Sequence, residues 1–419
     1  MNLSVKMNIA LYTLTSPLHD EKAVNAVSKE FLEEIEGALE MRFDFRGNDF
    51  SRYGESDLDI IFVRTGGTEG LFKELFPKLE GKILLLTSGK SNSLAASLEI
   101  MSYLNQQGRS GEILHGSTDY IARRIGILSK VSAAEKSLNG TNLGIIGRPS
   151  DWLISSEADK DAVKARLGIN LLDIPIRELI EEIENADISE FPENLHVIKA
   201  ELEENASASV KKYAEGAMKI YVALKRIVNK HDLSGLTLRC FDLLDTVGNT
   251  GCLALALLNA EGIPAGCEGD VPALLTMAIG NVLTGSCGFQ SNPSRIDPQT
   301  GELLLAHCTI PFNMILNHSF NTHFESGIGV AVHGEMPVGD ATIFKVSGDL
   351  SRHFCAEAEL VTNLYESNLC RTQIVLKLKD NPQETCTEYF LKNPVGNHHI
   401  VFSGAHKALF EAFLSNQKI

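Results

Sequence analysis

The chain has 419 residues, too many for one ordinary hydrophobic core, so two or three domains are expected. Apolar residues make up 44% and charged residues 22%, the balance of a soluble globular protein. A net charge of −16 argues against a nucleic-acid or anionic-membrane partner, since both need a basic footprint, and no apolar stretch reaches bilayer-spanning length.

The first third alternates strand and helix patterns. Asn8–Tyr12 reads as a buried strand, Glu21–Leu39 as a helix, and Asp59–Val63 as a second strand ending in the turn Thr65-Gly66-Gly67-Thr68. Lys82–Leu86 is a third strand, Ser91–Gln106 a helix and Gly111–Leu114 an extended segment. Unbroken apolar strands separated by helices predict a parallel sheet covered on both faces. A second α/β unit follows, with a helix over Asp119–Leu138, a strand leading into Gly144–Pro149, a strand at Asn170–Ile174 and a helix at Ile176–Ile188. Glu201–Lys230 reads as one or two long helices, and a new region opens near Ser234. From there glycine-rich and β-branched segments dominate, and Gln373–Lys379 alternates as an antiparallel strand with one wet face does. The predicted fold is therefore α/β: two flavodoxin-like parallel-sheet units, residues 1–117 and 118–233, then a mixed β-rich domain over 234–419.

The eight cysteines all lie in the second half, several inside apolar runs, and none forms a Cys-x-x-Cys pair. That is the pattern of reduced, buried thiols in a cytoplasmic protein rather than of a disulfide framework or a structural zinc site. Met1–Lys6 carries no apolar core of a signal peptide. Two N-terminal glycine loops, Thr65–Gly70 and Gly144–Gly147, match neither the dinucleotide fingerprint nor the P-loop. They keep a nucleotide-dependent enzyme as one alternative.

The chemistry concentrates near the C-terminus. Glu268 and Asp270 stand between Ile263-Pro264-Ala265-Gly266 and an apolar helix over Pro272–Leu283. Asp270 reads equally as a helix cap or as a functional acid, because Val271-Pro272 follows it. Glu268 lies outside the helix in an apolar approach, where a carboxylate needs a metal, a cation or a hydrogen-bond network. His307 sits in the strand-like run Leu303–Thr309, and His398 and His399 precede the strand Ile400-Val401-Phe402. Adjacent strand residues face opposite ways, so only one of that pair is expected in a given site. A mixed carboxylate and imidazole set suits Mn²⁺ or Mg²⁺.

Cys267-Glu268-Gly269-Asp270, with its helix and Leu283-Thr284-Gly285, resembles the first metal-ligand segment of the L-fucose isomerase and L-arabinose isomerase family. His398–Gly404 is similar to the family's C-terminal Asn-His or His-His motif, and His307 resembles the histidine that begins a short strand downstream of the acids. The motifs cover about the last 180 residues. The resemblance implies Glu268 and His398 as metal ligands. It also implies a second acidic ligand a few residues beyond Phe289, where this chain has Asn292. An amide oxygen can ligate but cannot act as a base, so Asp297 or Asp270 takes over, or the chemistry differs.

What the resemblance implies is a Mn²⁺- or other divalent-ion-dependent aldose–ketose isomerase acting on a small sugar through a metal-chelated cis-enediol. Glu268 is then ligand and base, with Asp270 or Asp297 as partner and Asn292 and His398 as further ligands. His307, His323 and His399 are expected to face the sugar. Arg371, at the start of a strand, is either a salt-bridge residue or the binder of a phosphate, carboxylate or sulfonate substituent. By the same resemblance the protein is a homo-oligomer, a trimer or hexamer, with a neighbour's N-terminal domain closing the site. Asn292 keeps open a non-catalytic sugar-binding relative of the isomerases.

Overall fold

The computed structural model describes residues 7–379 and 383–417; Met1–Lys6 and the side chain of Cys386 lie outside the described residues. The chain divides into two compact units, one up to Ala133 and one from Ala134.

The first unit holds a five-stranded parallel sheet of β1 (Ile9–Leu14), β2 (Asp44–Gly47), β3 (Leu58–Val63), β4 (Ile83–Leu86) and β5 (Gly111–Leu114). Its order, β2-β1-β3-β4-β5, is that of flavodoxin-like sheets. Alternate side chains of the central strands feed two apolar layers. One packs Tyr12, Ile61 and Leu85 with Ile100 and Leu104, and the other packs Leu11, Phe62 and Leu84 with Ile121 and Ile125. Burial on both faces is why these strands are continuous apolar runs.

The second unit begins with another parallel sheet, β6 (Asn142–Ile146), β7 (Asn170–Ile174), β8 (Leu233–Leu238) and β9 (Ala265–Cys267), in the order β7-β6-β8-β9. The helix Ala208–Lys230 covers it with Met218, Tyr221, Leu224 and Ile227. A closed antiparallel barrel follows. It comprises β10 (Phe289–Asp297), β11 (Glu302–His307), β14 (Gly339–Val346), β15 (His353–Leu364), β16 (Thr372–Leu378) and β17 (His399–Ser403). A two-stranded ribbon of β12 (Asn317–Asn321) and β13 (Ala331–Glu335) is inserted between β11 and β14. Two parallel-sheet α/β units and a β-rich C-terminal part are thus the fold class expected from the sequence.

One buried side chain of the barrel bonds directly to the sheet edge. Gln290 of β10 is buried; its Oε1 accepts from the Cys267 amide at 2.8 Å and its Nε2 donates to the Cys267 carbonyl at 3.4 Å. The amide of a side chain thereby occupies the free edge of β9, the residue before Glu268. The helix Val271–Thr284 then runs through the core, capped at one end by Asp270 and closed at the other by Gly285 in the left-handed conformation. Among the described residues no helix is long and apolar enough to cross a membrane.

Candidate metal and substrate site

The site sits where parallel strands end, the usual place for a ligand in an α/β sheet. β9 delivers Glu268 at its carboxyl end, in the left-handed region at φ 61°. A non-glycine residue there is strained by about 1–3 kcal/mol, and the surroundings must hold it. They do so through the backbone: the Ser150 amide donates to the Glu268 carbonyl, and the Gly269 amide to the Leu238 carbonyl, both at 2.9 Å. Gly269, at φ 72°, presses against the Arg148 carbonyl so closely that an added Cβ would stand 2.3 Å from its oxygen.

Three neighbouring barrel strands supply the rest. His398 immediately precedes β17, Asn292 lies on β10, and His307 ends β11. β10 pairs with both neighbours, Ser291 opposite His399 and Asn292 opposite Ala306, so the pairing register itself brings the three together. Glu268 Oε1 lies 3.4 Å from His398 Nε2 and 3.8 Å from His307 Nε2. Glu268, His307 and His398 form a buried group whose ligand atoms all lie within 4.8 Å of one another, and it could hold a metal ion.

Hydrogen bonds fix the direction of each imidazole. His398 Nδ1 donates to Asp270 Oδ2 at 2.8 Å. A carboxylate only accepts, so a proton sits on Nδ1 and Nε2 is turned toward Glu268. A carboxylate behind the imidazole is the usual support of a metal-binding histidine. His307 Nδ1 is paired with Thr309 Oγ1 at 3.0 Å, which turns its Nε2 the same way. His398 Nε2 and Asn292 Oδ1 are buried and lack a hydrogen-bond partner, so the donor set is complete but for a cation. These residues fit a divalent ion.

The groups of the cluster shift one another's protonation. Burial would raise the Glu268 pKa, but His307 and His398 outweigh it and hold the carboxyl well below the usual range. Burial lowers His398, yet Asp270 and Glu268 push it up to about 9. Burial depresses His307, and it brings His323 down to about 4. Asp270 has a further partner, Lys345 Nζ at 3.5 Å, and both side chains are wholly buried. Its Oδ1 accepts from the Ala273 amide at 2.8 Å. Asp270 is therefore the helix cap, one of the two readings its sequence position left open, and it also supports His398.

Glu268, Asn292 and His307 line a cavity of about 50 Å³, together with Phe241, His323, Glu325 and five cysteines: Cys240, Cys252, Cys267, Cys308 and Cys370. The Cys240 and Cys267 sulfurs are 3.1 Å apart. That contact and burial push the Cys267 thiol up.

Three residues singled out from sequence lie elsewhere. Asp297 is the exposed last residue of β10, where it accepts from the Gln299 and Thr300 amides of the following turn. His399 turns away into an aromatic cluster, its Nε2 2.9 Å from the Tyr389 hydroxyl and its Nδ1 3.1 Å from the Asn397 carbonyl. Arg371 does not line the cavity; its Nε donates to the Thr322 carbonyl and its guanidinium lies over the Phe324 ring. Among the described residues no carboxylate forms an ion pair with it. Trp152 and Lys345 were not singled out from sequence. Trp152 Nε1 donates to Glu268 Oε2 at 2.7 Å across 116 positions of sequence, and no local pattern carries such a contact.

An α/β chain with a buried Glu-His-His group at the sheet–barrel junction defines a candidate metal-dependent enzyme. No protein-family model matches it. Over 282 residues, 65% of this chain, it is 22% identical to the sulfoquinovose isomerases of Priestia megaterium and Priestia aryabhattai. The sulfoquinovose isomerase of Alkalicoccus urumqiensis is also 22% identical, over 287 residues. The match spans 61% of the length of each of these relatives.

Proposed function

We propose that this chain is a metal-dependent aldose–ketose isomerase acting on a monosaccharide derivative, with sulfoquinovose as the first substrate to try. The observation that carries the reading is the buried Glu268/His307/His398 group with the unpartnered His398 Nε2 at its centre. The likeness to sulfoquinovose isomerases, and the motifs shared with fucose and arabinose isomerases, support the same reaction type.

Glu268, His307 and His398 hold the ion, with Asn292 Oδ1 beside them; Mn²⁺ is the first candidate for a mixed carboxylate–imidazole set. Such an ion, when bound, supplies Lewis-acid stabilisation of charge developing on the sugar oxygens. The residues do the rest. Isomerisation moves a proton between C1 and C2 through a cis-enediol(ate), and the Glu268 carboxylate, ionised at neutral pH, takes that proton and returns it to the neighbouring carbon. Asp270 is buried behind His398 and acts by holding its Nδ1 proton. His323, neutral at pH 7, lines the cavity and hydrogen-bonds the sugar. Glu325 is the second carboxylate lining the cavity and partners Glu268 in place of the acid that Asn292 replaces. Arg371, which has no carboxylate partner among the described residues, is the group suited to an anionic substituent. The protein works in the cytoplasm as a homo-oligomer.

A second reading, a non-catalytic sugar-binding relative, is favoured by Asn292, whose amide cannot carry a proton. The test is direct: measure bound Mn per chain and the interconversion of sulfoquinovose with its ketose. The isomerase reading expects metal and turnover, both lost in Glu268→Gln. Sugar binding with metal but no turnover favours the second reading, and metal content indifferent to Glu268→Gln and His398→Ala sinks both.

A further inference from the structure

The 50 Å³ cavity at the metal group has room for an ion and a water or so, whereas small-molecule sites are usually about 300 Å³ or more. A sugar that reaches Glu268 must therefore gain space from one of the walls. Trp152 is not in the lining but is bonded to the lining residue Glu268, and it has the means to give that space. It lies in the turn after β6, the residue is 53% exposed, and its ring meets Phe241 edge-on at 4.7 Å. On its other side it lines a groove of about 450 Å³ with Ile154, Pro293, Ile296, Phe390 and His399. Ile154, two residues on, is 93% exposed. The indole thus lines the larger space and is linked to the smaller one by its bond to Glu268.

Its bond to Glu268 is asymmetric in cost. The half-exposed indole N–H can turn to water when released. Glu268 is 8% exposed, so its Oε2 needs a replacement donor, and an unsatisfied buried acceptor costs about 1–3 kcal/mol. A sugar hydroxyl is such a donor, which makes the exchange near neutral for a polyhydroxylated ligand and costly for an apolar one. The same exchange frees Oε2, the oxygen not facing the histidines, to act on the sugar.

We propose that Trp152 is a substrate-binding residue: a sugar takes over Glu268 Oε2 from the indole N–H, and the released ring covers the sugar from the groove side. The proposal rests on the isomerase reading and adds to it a residue outside the family-like motifs.

Trp152 is the only tryptophan in the chain, so the emission of the whole protein reports on this one side chain. The experiment titrates the full-length protein first with Mg²⁺ and then with sulfoquinovose, following emission and its quenching by acrylamide. Sugar is expected to shift the emission maximum and cut quenching at least twofold, saturating over the range in which turnover saturates. Trp152→Phe keeps a ring and loses the donor; it is expected to hold wild-type metal per chain and to lose at least tenfold in kcat/KM, mostly through KM. Turnover with unchanged emission, or a wild-type KM in Trp152→Phe, overturns the proposal and leaves the isomerase reading standing. Loss of metal in Trp152→Phe also overturns it, since the indole then only positions Glu268. If the wild-type protein neither holds a metal nor converts the sugar, the isomerase reading fails and this proposal falls with it.

Discussion

His398 carries two opposed demands on its protonation. As a ligand its Nε2 must be bare, yet without a metal Asp270 and Glu268 draw a second proton onto the ring and raise its pKa to about 9. At neutral pH a metal must displace that proton. Affinity for Mn²⁺ is therefore expected to rise close to tenfold per pH unit from about pH 7, and to level off above about 9. Titration calorimetry in buffers of different ionisation enthalpy reads the released proton directly; a flat profile would mean that His398 is not a ligand. The stability of the metal-free protein runs the other way. A pKa raised above the unfolded value stabilises fully below about pH 6.5, and that contribution is lost as pH rises through 9, an amount of roughly 3 kcal/mol. Asp270 and Lys345 form a second coupled pair. Asp270→Asn keeps the helix cap, because asparagine caps as well as aspartate, but it leaves the Lys345 ammonium buried without a counter-charge. That loss is expected to cost about 3–5 kcal/mol in urea unfolding, and Lys345→Met added to Asp270→Asn to recover part of it. Additive losses in the double variant would show that the two side chains do not share the pair.

At the scale of elements, the helix Val271–Thr284 holds Glu268 and the barrel in one register. Its limits were legible in sequence, because Asp270 with Pro272 opens it and Gly285 closes it. Its packing was not. Gly280 lies in the apolar middle of the helix, where a glycine gives up about 1 kcal/mol of helix propensity relative to alanine. The structure supplies the reason: a Cβ there would stand 2.1 Å from the Phe402 ring of β17, the strand that follows His398. Gly280→Ala is therefore expected to destabilise despite its better propensity, by about 1–2 kcal/mol net, since overpacking costs about 1–3 kcal/mol. A stabilised variant would mean that Phe402 moves freely, and thermal unfolding decides. The same contrast holds elsewhere. Strands buried on both faces, such as β3 and β4, were read from their apolar runs, whereas the short polar edge strand β2 carries no such pattern and was passed over.

Across the whole molecule, the groups legible in sequence were those whose local setting was wrong for a bland role: an acid in an apolar approach, a histidine in a core strand, a doubled histidine before a strand. Glu268, His307 and His398 come from positions far apart in sequence, and only sheet order and barrel closure make them neighbours. What stayed hidden depends on contacts with no local signal, the indole of Trp152 and the ammonium of Lys345. Asp297 illustrates the converse, an acid near the right place in sequence that the hairpin turn carries to the surface. A site assembled from four elements of the second unit ties metal binding to the folding of that unit, because the unfolded chain cannot offer the three ligands together. Ligand binding to the folded state alone stabilises by about 2.7 kcal/mol at a hundredfold excess over Kd. Unfolding followed by tryptophan emission reads that unit, where Trp152 lies. Its midpoint is expected to rise by several degrees with Mn²⁺ and to return with a chelator. In Glu268→Gln the midpoint should ignore the ion; a variant that still responds as the wild type does would place the metal somewhere other than this group.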